Sequence, residues 1–377
     1  MKPALEEKNL RKIRILVAPL DWGLGHATRC IPVIYELLRE GCDVWLAGEG
    51  TQEVLLKQEF PDLSFLPLPG YRVKYGRSAS GMLLSMFSQS RKILAAIKQE
   101  NKWLKKIVAE YGFDAVISDN RYGLYHTNIP SVIITHQLTI KSPLGKWSER
   151  LLQKWNYSFI NRFNACWIPD EGGENNLGGE LSHPLKKPVT PICYFGPLSR
   201  LKTQNEISSP PLQSAGKNHL LFILSGPEPQ RSILENKIIE DIAHYPGTAT
   251  IIRGLPAASN IIPSTNSIKF YNHLPAKELN KEMNLAEYII SRSGYSSIMD
   301  IIKLQKKSIL IPTPGQTEQE YLGQYLLENR SAFCISQKEF SLTKALQKAE
   351  SFSYCFPSFP VDGKLHETIE QFIASLR

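Results

Sequence analysis

The stretch Ser291-Arg292-Ser293-Gly294-Tyr295-Ser296-Ser297 directly follows the apolar run Tyr288-Ile289-Ile290. The apolar run predicts a buried parallel strand, and the serine- and glycine-rich turn after it predicts the start of a helix. The free N–H groups and positive dipole end of such a helix suit a diphosphate. A second predicted strand, 308–311, breaks at Pro312 into a loop rich in Gln and Glu. The two strand ends and the helix start therefore predict one ligand site.

Apolar, β-rich runs alternate with amphipathic segments along the whole chain, which is the pattern of βα units with parallel sheets. A length of 377 residues exceeds the size at which a single core keeps growing, so we expect two domains. The segment 196–212, interrupted by prolines, is the predicted linker, and residues 365–376 have the apolar spacing of a last helix. The predicted strands cover residues 13–18, 43–46, 64–66, 115–117, 132–135 and 165–168 in the first half, and residues 220–224, 250–252, 268–271, 288–290 and 308–311 in the second.

The composition is that of an ordinary globular protein, with 42% hydrophobic and 21% charged residues. No apolar run approaches the ~20 residues of a membrane span, and the polar start of the chain does not resemble a signal peptide, so we expect a cytoplasmic protein. The six cysteines form no C-x-x-C pair, which predicts free core thiols. A net charge of +8 suits an acidic partner, whether a nucleotide, an anionic lipid or a nucleic acid. No nucleic-acid-binding module is recognisable, which disfavours the last.

A glycine-rich turn, Gly23-Leu24-Gly25-His26, follows the first predicted strand and precedes a helix that we expect to reach about Glu40. Glycines let the backbone approach a ligand closely, and the helix dipole disfavours the protonated form of His26. A neutral imidazole can serve as a general base. The alternative is a tight turn with a capping histidine. The third glycine of a dinucleotide fingerprint is missing, which disfavours NAD.

Two further polar groups follow predicted strands of the first half, Asp119 after residue 117 and His136 after residue 135. Because the carboxyl ends of parallel strands share one edge, both are expected to line the same mouth as His26. Asp119 is a candidate to orient His26 or to deprotonate an acceptor itself, and the alternative is a helix N-cap. His136 is more simply a hydrogen-bonded loop residue than a catalyst.

In the second half, the turn Ser225-Gly226 after residue 224 offers backbone donors to a phosphate. Prolines 227 and 229 remove two N–H groups, and there is no Gly-Lys-Ser/Thr, so ATP hydrolysis is disfavoured. Asp300 lies two turns into the helix after Gly294 and is a candidate acceptor for ribose hydroxyls, with a solvated surface carboxylate as the alternative.

The segment 71–106 carries nine Lys or Arg against one Glu, and it is apolar in its middle. Such a segment is typical of contact with an anionic membrane surface. The alternative is a basic helix whose apolar side faces the core.

These motifs together resemble GT-B glycosyltransferases, in particular the family of the peptidoglycan N-acetylglucosaminyltransferase, and more distantly glucuronosyl- and plant glycosyltransferases. The match is best over residues 291–300 and 312–320, moderate over residues 23–26 and 196–200, and weakest in the middle of the first half. The resemblance implies two Rossmann-like domains facing across a cleft, with an acceptor-binding domain at 1–197, a nucleotide-sugar-binding domain at 198–355, and a last helix, 356–377, that packs back on the first domain.

The resemblance also implies roles for single residues. The ribose-binding acid of the family falls on Asp300, shortened from the usual Glu. The paired glutamines that contact the donor sugar fall on Gln319 and Glu320, so the second is altered here. The phosphate-contacting arginine falls on Arg200, and His26 matches the histidine of the cleft. The remaining donor-binding positions are Ser225, Gly226, Ser293 and Gly294. From their place after predicted strands of the first half, and not from the resemblance, Gly25 and His136 are the expected acceptor-binding positions.

We therefore expect an inverting, metal-independent transfer of a sugar from a UDP-sugar to a hydroxyl of a glycan or a lipid-linked acceptor of the cell envelope. His26 is the expected base, and Asp119 its orienter or substitute. No Asp-x-Asp stretch is present to hold a divalent ion, and we expect neither a cofactor nor a metal. Two alternatives remain at this point: a nucleotide-sugar epimerase or hydrolase, and a non-catalytic nucleotide-sugar-binding protein.

Overall fold

The computed structural model describes residues 11–71, 79–203, 218–256, 258–359 and 363–377, with only the backbone described for 79–90. The first half contains β1 (Arg14–Pro19), α1 (Leu24–Arg39), β2 (Asp43–Gly48), α2 (Thr51–Glu59), β3 (Ser64–Pro67), α3 (Ala79–Tyr111), β4 (Ala115–Asp119), β5 (Ser131–Ile134), α4 (Lys146–Ile160), β6 (Ala165–Ile168), a short 3-10 helix (Gly179–Leu181) and β7 (Ile192–Tyr194). The second contains β8 (His219–Ile223), α5 (Gln230–Ile242), β9 (Thr248–Ile252), β10 (Ile268–Tyr271), α6 (Ala276–Leu285), β11 (Tyr288–Ser291), α7 (Tyr295–Lys303), β12 (Ser308–Leu310), α8 (Thr317–Glu328), β13 (Phe333–Cys334), α9 (Leu342–Glu350) and α10 (Gly363–Leu376).

Each half of the chain forms its own parallel sheet. The first sheet has the strand order β3-β2-β1-β4-β5-β6-β7, and the second has the order β10-β9-β8-β11-β12-β13. The order reverses next to β1 in the first sheet and next to β8 in the second, because the chain winds outward in both directions from that strand. Ligands of doubly wound sheets bind at such switch points. Both sheets thus have a binding crevice at a predictable place.

The central strand β1 is buried on both faces, which explains its continuous apolar sequence. Ile15 and Val17 pack into the core cluster that contains the apolar side of α1. Leu16 and Ala18 point to the opposite face and pack with residues of α3. The alternation of side chains along one strand therefore holds helices on both faces of the sheet.

The two sheets face each other through the helices that follow their central strands. The first turn of α1 follows β1 and contacts the first turn of α7, which follows β11. The core cluster with Ile15 is continuous with Ile289 of the second sheet. The carboxyl ends of both sheets therefore border one cleft, which confirms the expected architecture of two Rossmann-like sheets.

The last helix, α10, packs against the first half although it follows the second sheet. Ile369 and Ile373 are buried in the same cluster as α1. The ring of Phe372 lies 5.2 Å from that of Trp167 on β6. The predicted return of the last helix to the first half is confirmed.

The predicted strands are all present, and the differences lie at the sheet edges. β7 and β13 were not predicted; they have three and two residues and form the outer edge of each sheet. Strands this short carry too little apolar pattern to be recognised. The predicted linker, 196–212, lies partly outside the described residues.

Candidate active site

His26 lies in the first turn of α1, directly after the glycine turn that follows β1. Gly23 is the N-cap residue with a φ of 95°, a conformation that favours glycine, and no side chain caps the helix. Asp119 is the last residue of β4, the strand beside β1, and pairs in register with Pro19. Two adjacent strand ends thus bring His26 and Asp119 into contact.

The hydrogen bond between His26 and Asp119 defines the state of the imidazole. Nδ1 of His26 lies 2.9 Å from Oδ1 of Asp119, which is fully buried. Nη2 of Arg29 lies equally close to Nδ1, at 2.9 Å, but it also donates to Asp119. An ionised carboxylate only accepts, so the neutral ring satisfies Asp119 with its proton on Nδ1, which leaves the lone pair on Nε2. Burial, followed by the charge of Arg29, lowers the pKa of His26 below 6.5, against the opposing effect of Asp119. His26 is therefore neutral at pH 7.

Arg29 is the second partner of Asp119, one turn after His26 on the same side of α1. Its Nε and Nη2 donate to the two carboxylate oxygens, and both side chains are buried. Burial alone would raise the pKa of Asp119, but Arg29 and then His26 hold it well below its ordinary range. A carboxylate kept so firmly ionised is a poor proton acceptor, which leaves Asp119 suited to orienting His26.

The helix-cap alternative for Asp119 does not apply. The residue ends β4, and the next regular element along the chain is β5. Asn120 has a φ of 60° in the turn that follows. The side chain of Asp119 is occupied by His26 and Arg29 instead of by helix N–H groups.

His136 contacts both halves of the molecule. Nη1 of Arg29 lies 3.1 Å from Nδ1 of His136, and Oε1 of Glu318 lies 2.7 Å from Nε2. Arginine only donates and an ionised glutamate only accepts, so the neutral ring with its proton on Nε2 satisfies both. The ring also stacks on Tyr295, with centroids 4.0 Å apart. Both ring nitrogens of His136 are thus engaged, and neither is free to bind an acceptor substrate as predicted.

Glu318, in the first turn of α8, also accepts a hydrogen bond from the side-chain amide of Gln137. Although burial would raise its pKa, the electrostatic attraction and the hydrogen bond of the N–H group of His136 hold the pKa of Glu318 below its ordinary value. We call Arg29, His136, Gln137 and Glu318 the clasp. It joins the carboxyl edge of the first sheet to the second half of the chain.

A second contact between the halves joins the side chain of Ser296 to the backbone of Gly25. Oγ of Ser296, in the first turn of α7, donates to the carbonyl of Gly25 at 2.9 Å. A Cβ on Gly25 would lie 2.9 Å from the same Oγ and 3.3 Å from Cβ of Ser296, so a larger residue at position 25 would displace Ser296. Neither α1 nor α7 has a side-chain cap or an acidic residue in its first turn. Two uncapped helix N-termini therefore meet beside His26.

The predicted donor-binding turns of the second half lie at neighbouring strand ends. Gly226 follows β8 with a φ of 103°, and a Cβ there would lie 3.6 Å from Oγ1 of Thr313, which follows β12. Ser293 is buried and donates to the carbonyl of Gln319 at 2.7 Å. A Cβ on Gly294, the N-cap of α7, would meet nothing within 4 Å. The loop after β8, which contains Ser225, thus lies next to the loop after β12, and the position beside Gly294 at the start of α7 is open.

Asp300 is a partly buried carboxylate on α7, which argues against the solvated-surface alternative. Oγ of Ser199 donates to it at 2.5 Å. Burial raises the pKa of Asp300 to about 6, although Ser199 and Arg200 act in the opposite direction. Nε of Arg200 is buried without a hydrogen-bond partner among the described residues. Arg200 and Asp300 therefore lie close together, and Arg200 keeps donor capacity for an anion.

Gln319 and Glu320 hold the loop that precedes α8. Oε1 of Gln319 accepts from the Thr313 amide at 2.9 Å, and its Nε2 donates to Gln316 at 2.6 Å. Oε1 of Glu320 accepts from the Gly315 amide at 2.9 Å. Both predicted sugar-contacting side chains are thus engaged with their own loop.

Two side chains of the candidate site, those of Arg29 and Glu318, have no role in the sequence prediction. The sequence does indicate a place for Arg29 beside His26, because it follows His26 by three residues and the two therefore share a helix face. No such indication exists for Glu318, because its partners His136 and Gln137 lie about 180 residues away. Only the closed arrangement of the two halves reveals it.

The predicted membrane segment, 71–106, lies partly outside the residues whose side chains are described. In the described part of α3, Ile93, Ile97 and Leu104 are buried, while Lys98 and Lys102 are exposed. This part matches the alternative of a basic helix with a core-facing apolar side. None of the described helices combines the length and the apolar character needed to cross a bilayer.

Comparison with known proteins agrees with this geometry. The model of the glycosyltransferase family 28 C-terminal domain matches residues 264–354, which include β11, α7 and the loop of Glu318. The chain is a GT-B glycosyltransferase. The UDP-N-acetylglucosamine--N-acetylmuramyl-(pentapeptide) pyrophosphoryl-undecaprenol N-acetylglucosamine transferase of Haemophilus ducreyi is 20% identical to it over 336 residues, which is 85% of each chain.

Solved structures show the same fold for this glycosyltransferase over nearly its whole length. The glycotransferase of kitacinnamycin superposes with a TM-score of 0.60 at 14% identity, covering 97% of this chain and 96% of the other. MurG of Acinetobacter baumannii superposes with a TM-score of 0.53 at 13% identity, covering 96% and 99%. At these identities the structures establish the fold alone.

Proposed function

We propose that this glycosyltransferase moves a sugar from a UDP-sugar to a hydroxyl group of a glycan or lipid-linked acceptor, with inversion and without a metal ion. The single observation that carries the proposal is the meeting of two uncapped helix N-termini, at Gly25 and Ser296, beside a neutral and oriented His26. Helix N-termini favour a diphosphate, and a neutral imidazole accepts a proton from a hydroxyl.

The transfer step requires one proton acceptor and stabilisation of one leaving group. Nε2 of His26 takes the proton of the acceptor hydroxyl while the oxygen attacks the anomeric carbon from the face opposite the diphosphate. The bond from that carbon to the diphosphate breaks, and UDP leaves with the electron pair. Attack from the opposite face inverts the anomeric configuration.

Asp119 and Arg29 support His26 in this step. Asp119 holds the proton on Nδ1 and stabilises the imidazolium that forms, as the aspartate of a hydrolase triad does for its histidine. Arg29 keeps Asp119 ionised. We infer that His26 is the base and that Asp119 is its orienter.

The developing charge on UDP would be met by backbone N–H groups of α7 at Gly294 and by the guanidinium of Arg200. Nε of Arg200 has no partner among the described residues, which leaves a donor available for a phosphate oxygen. Asp300 would accept from the ribose hydroxyls. The turn of Ser225 and Gly226 borders the same space.

The acceptor side is formed by Gly25 and the carboxyl edge of the first sheet. The relative from Haemophilus ducreyi is named for transfer to a pyrophosphoryl-undecaprenol intermediate. By similarity we propose a lipid-linked or glycan acceptor and a peripheral position on the inner face of a membrane. Contact through the basic segment 71–106 stays a prediction.

The test is incubation of the pure protein with a panel of UDP-sugars and candidate glycan and lipid-linked acceptors, measuring UDP release and product mass. We expect UDP release that depends on the acceptor, a product with the inverted anomeric configuration by NMR, and no loss of rate with EDTA. UDP release without an acceptor, giving free sugar or an epimer, would overturn the transfer in favour of an epimerase or hydrolase. UDP binding without any turnover would identify a non-catalytic binding protein.

A further inference from the structure

The helix α4 exposes a row of large apolar side chains to solvent. Trp147 is 66% exposed and Leu151 is 62% exposed, and Trp155 and the preceding Leu144 are also exposed. Positions 147, 151 and 155 are spaced by four residues, so they lie along one face of the helix. Exposed tryptophans in a continuous row are unusual on a surface that faces only water.

A row of basic residues runs beside the apolar row. Lys146, Arg150 and Lys154 each come one position before Trp147, Leu151 and Trp155, and all three are exposed. No ion pair joins these three cations to another described residue. The one acid of α4, Glu149, faces Lys141 at 3.8 Å. The exposed face of α4 is therefore apolar along one side and positive along the other.

The opposite face of α4 is fixed to the first half. Nδ2 of Asn156 donates to the carbonyl of Gln137 at 2.8 Å, and the hydroxyl of Tyr122 donates to Oδ1 of Asn156 at 2.8 Å. Phe159 and Ile160 are buried in the core. The helix cannot rotate its tryptophans inward without breaking these contacts.

A neighbouring loop adds a second group of exposed apolar and basic side chains. Leu185 and Val189 are exposed, with Lys186 and Lys187 between them. The hydroxyl of Tyr157, on α4, donates to the carbonyl of Lys186 at 2.5 Å. The loop thus adjoins α4 and continues the same chemistry.

We propose that this surface, made of the apolar row and the basic row of α4 with the loop 185–189, docks on an anionic lipid bilayer. Tryptophan concentrates at the level of lipid headgroups, and lysine and arginine beside it contact anionic headgroups. A helix that lies flat in the membrane surface presents this combination, whereas the core of a protein interface is depleted of lysine.

The position of α4 relates the docking to the cleft. α4 begins ten residues after His136. Lys141 lies in the segment between them, and its carbonyl accepts a hydrogen bond at 2.9 Å from Oγ1 of Thr317 at the start of α8. Docking through α4 holds the mouth of the cleft near the headgroups. Delivery of a lipid-linked acceptor to that mouth rests on the proposed function, whereas the docking itself does not.

The docking is tested by sedimentation with large unilamellar vesicles of phosphatidylglycerol and phosphatidylcholine. The variant Trp147→Ser with Leu151→Ser is expected to lower the partition coefficient at least about ten-fold, because two large apolar side chains leave the membrane. The matched control is Ile261→Ser, which removes a side chain that is 77% exposed on the second half and is expected to leave partition unchanged. Circular dichroism and the thermal midpoint verify that each variant is folded.

The basic row is tested separately. The triple variant Lys146→Gln, Arg150→Gln and Lys154→Gln is expected to bind the anionic vesicles no better than vesicles of phosphatidylcholine alone, and to lose its dependence on salt. The control removes an equal charge from exposed lysines of the second half, Lys338→Gln, Lys344→Gln and Lys348→Gln. It is expected to keep most of the preference for anionic vesicles.

Three outcomes would overturn the proposal. The first is an absence of vesicle binding by the unaltered protein. The second is loss of binding on substituting Lys98, Lys102 and Lys105 of α3 while the α4 variants bind normally, which would place the contact in the segment 71–106. The third is a dimer in sedimentation velocity that Trp147→Ser dissociates, which would make a second copy the occupant. UDP release with a water-soluble acceptor should be unchanged in the α4 variants, so this assay reports the transferase separately.

Discussion

Oε1 of Glu318 lies 2.7 Å from Nε2 of His136, although 182 positions separate the two residues in the chain. The contact joins the loop of the second sheet to the carboxyl edge of the first. Arg29 binds the other ring nitrogen of His136 and also Asp119, so the clasp is connected to the partner of His26. Closure of the cleft and orientation of the proposed base thus share one hydrogen-bond network.

Glu318→Ala is expected to lower kcat/KM about ten-fold or more, because the closed form loses charge-assisted hydrogen bonds from His136 and Gln137. Steady-state kinetics measure the loss, and small-angle scattering should show a larger radius of gyration. Glu328→Gln, an exposed glutamate on the same helix, is the control. Unchanged kinetics and compactness in Glu318→Ala would remove the clasp from the mechanism.

The rate of transfer is expected to fall on acidification, because only neutral His26 accepts a proton. Burial and Arg29 lower the pKa of His26, so the acidic limb of the pH profile lies below 6.5. Arg29→Gln removes the charge that lowers this pKa most, whereas the carboxylate of Asp119, which raises it, remains. The acidic limb should therefore move to higher pH.

The control for this shift is Arg39→Gln, on the same helix, where the arginine is exposed and pairs with Glu36. Its pH profile should match that of the unaltered protein. A profile of Arg29→Gln that loses amplitude at every pH without moving its acidic limb would contradict the assignment of the limb to His26.

Asp300 should make the ligand-free protein less stable as the pH rises. Its pKa is raised by burial to about 6, above the value of about 3.8 for an exposed Asp, so the folded state binds the proton more tightly than the unfolded state. The free energy of unfolding should fall between pH 4 and about 6 by at most about 2–3 kcal/mol from this group. Asp300→Asn should flatten this dependence of stability on pH in urea titrations at several pH values. An unchanged slope would exclude Asp300 as its cause.

Gly25→Ala is expected to lower the thermal midpoint and the activity, since a Cβ there would lie 2.9 Å from Oγ of Ser296. Ser296→Ala removes this atom and leaves the serine Cβ at 3.3 Å, so the double variant should recover part of the loss. Gly173→Ala is the control, because its Cβ would meet nothing within 4 Å. A double variant no better than Gly25→Ala would refute the steric explanation.

The sequence predicts the sheets well because both central strands are buried on both faces. Ile15 to Ala18 and Tyr288 to Ile290 are apolar without interruption, as a parallel strand covered on both faces requires. The contact of His26 with Asp119 was accessible for a related reason, since adjacent parallel strands end at one edge.

Other parts of the site depend on how the halves meet, which no local pattern records. In the sequence Glu318 is one of several acids in a polar segment, and only the fold shows that it contacts His136. Trp147 and Leu151 have the spacing of a core-facing helix stripe, and the sequence does not say which face of α4 is turned to solvent. Burial, unlike periodicity, is a property of the assembled fold.

The return of α10 to the first half limits how the cleft can open. The chain passes between the halves twice, after β7 and again before α10, and Ile369 and Phe372 anchor the second passage on the first half. A body tethered at one point can swivel in any direction. A body tethered at two points can rotate only about the line that joins them, so we expect the cleft to open about one axis and to bring Glu318 back to His136 when it closes.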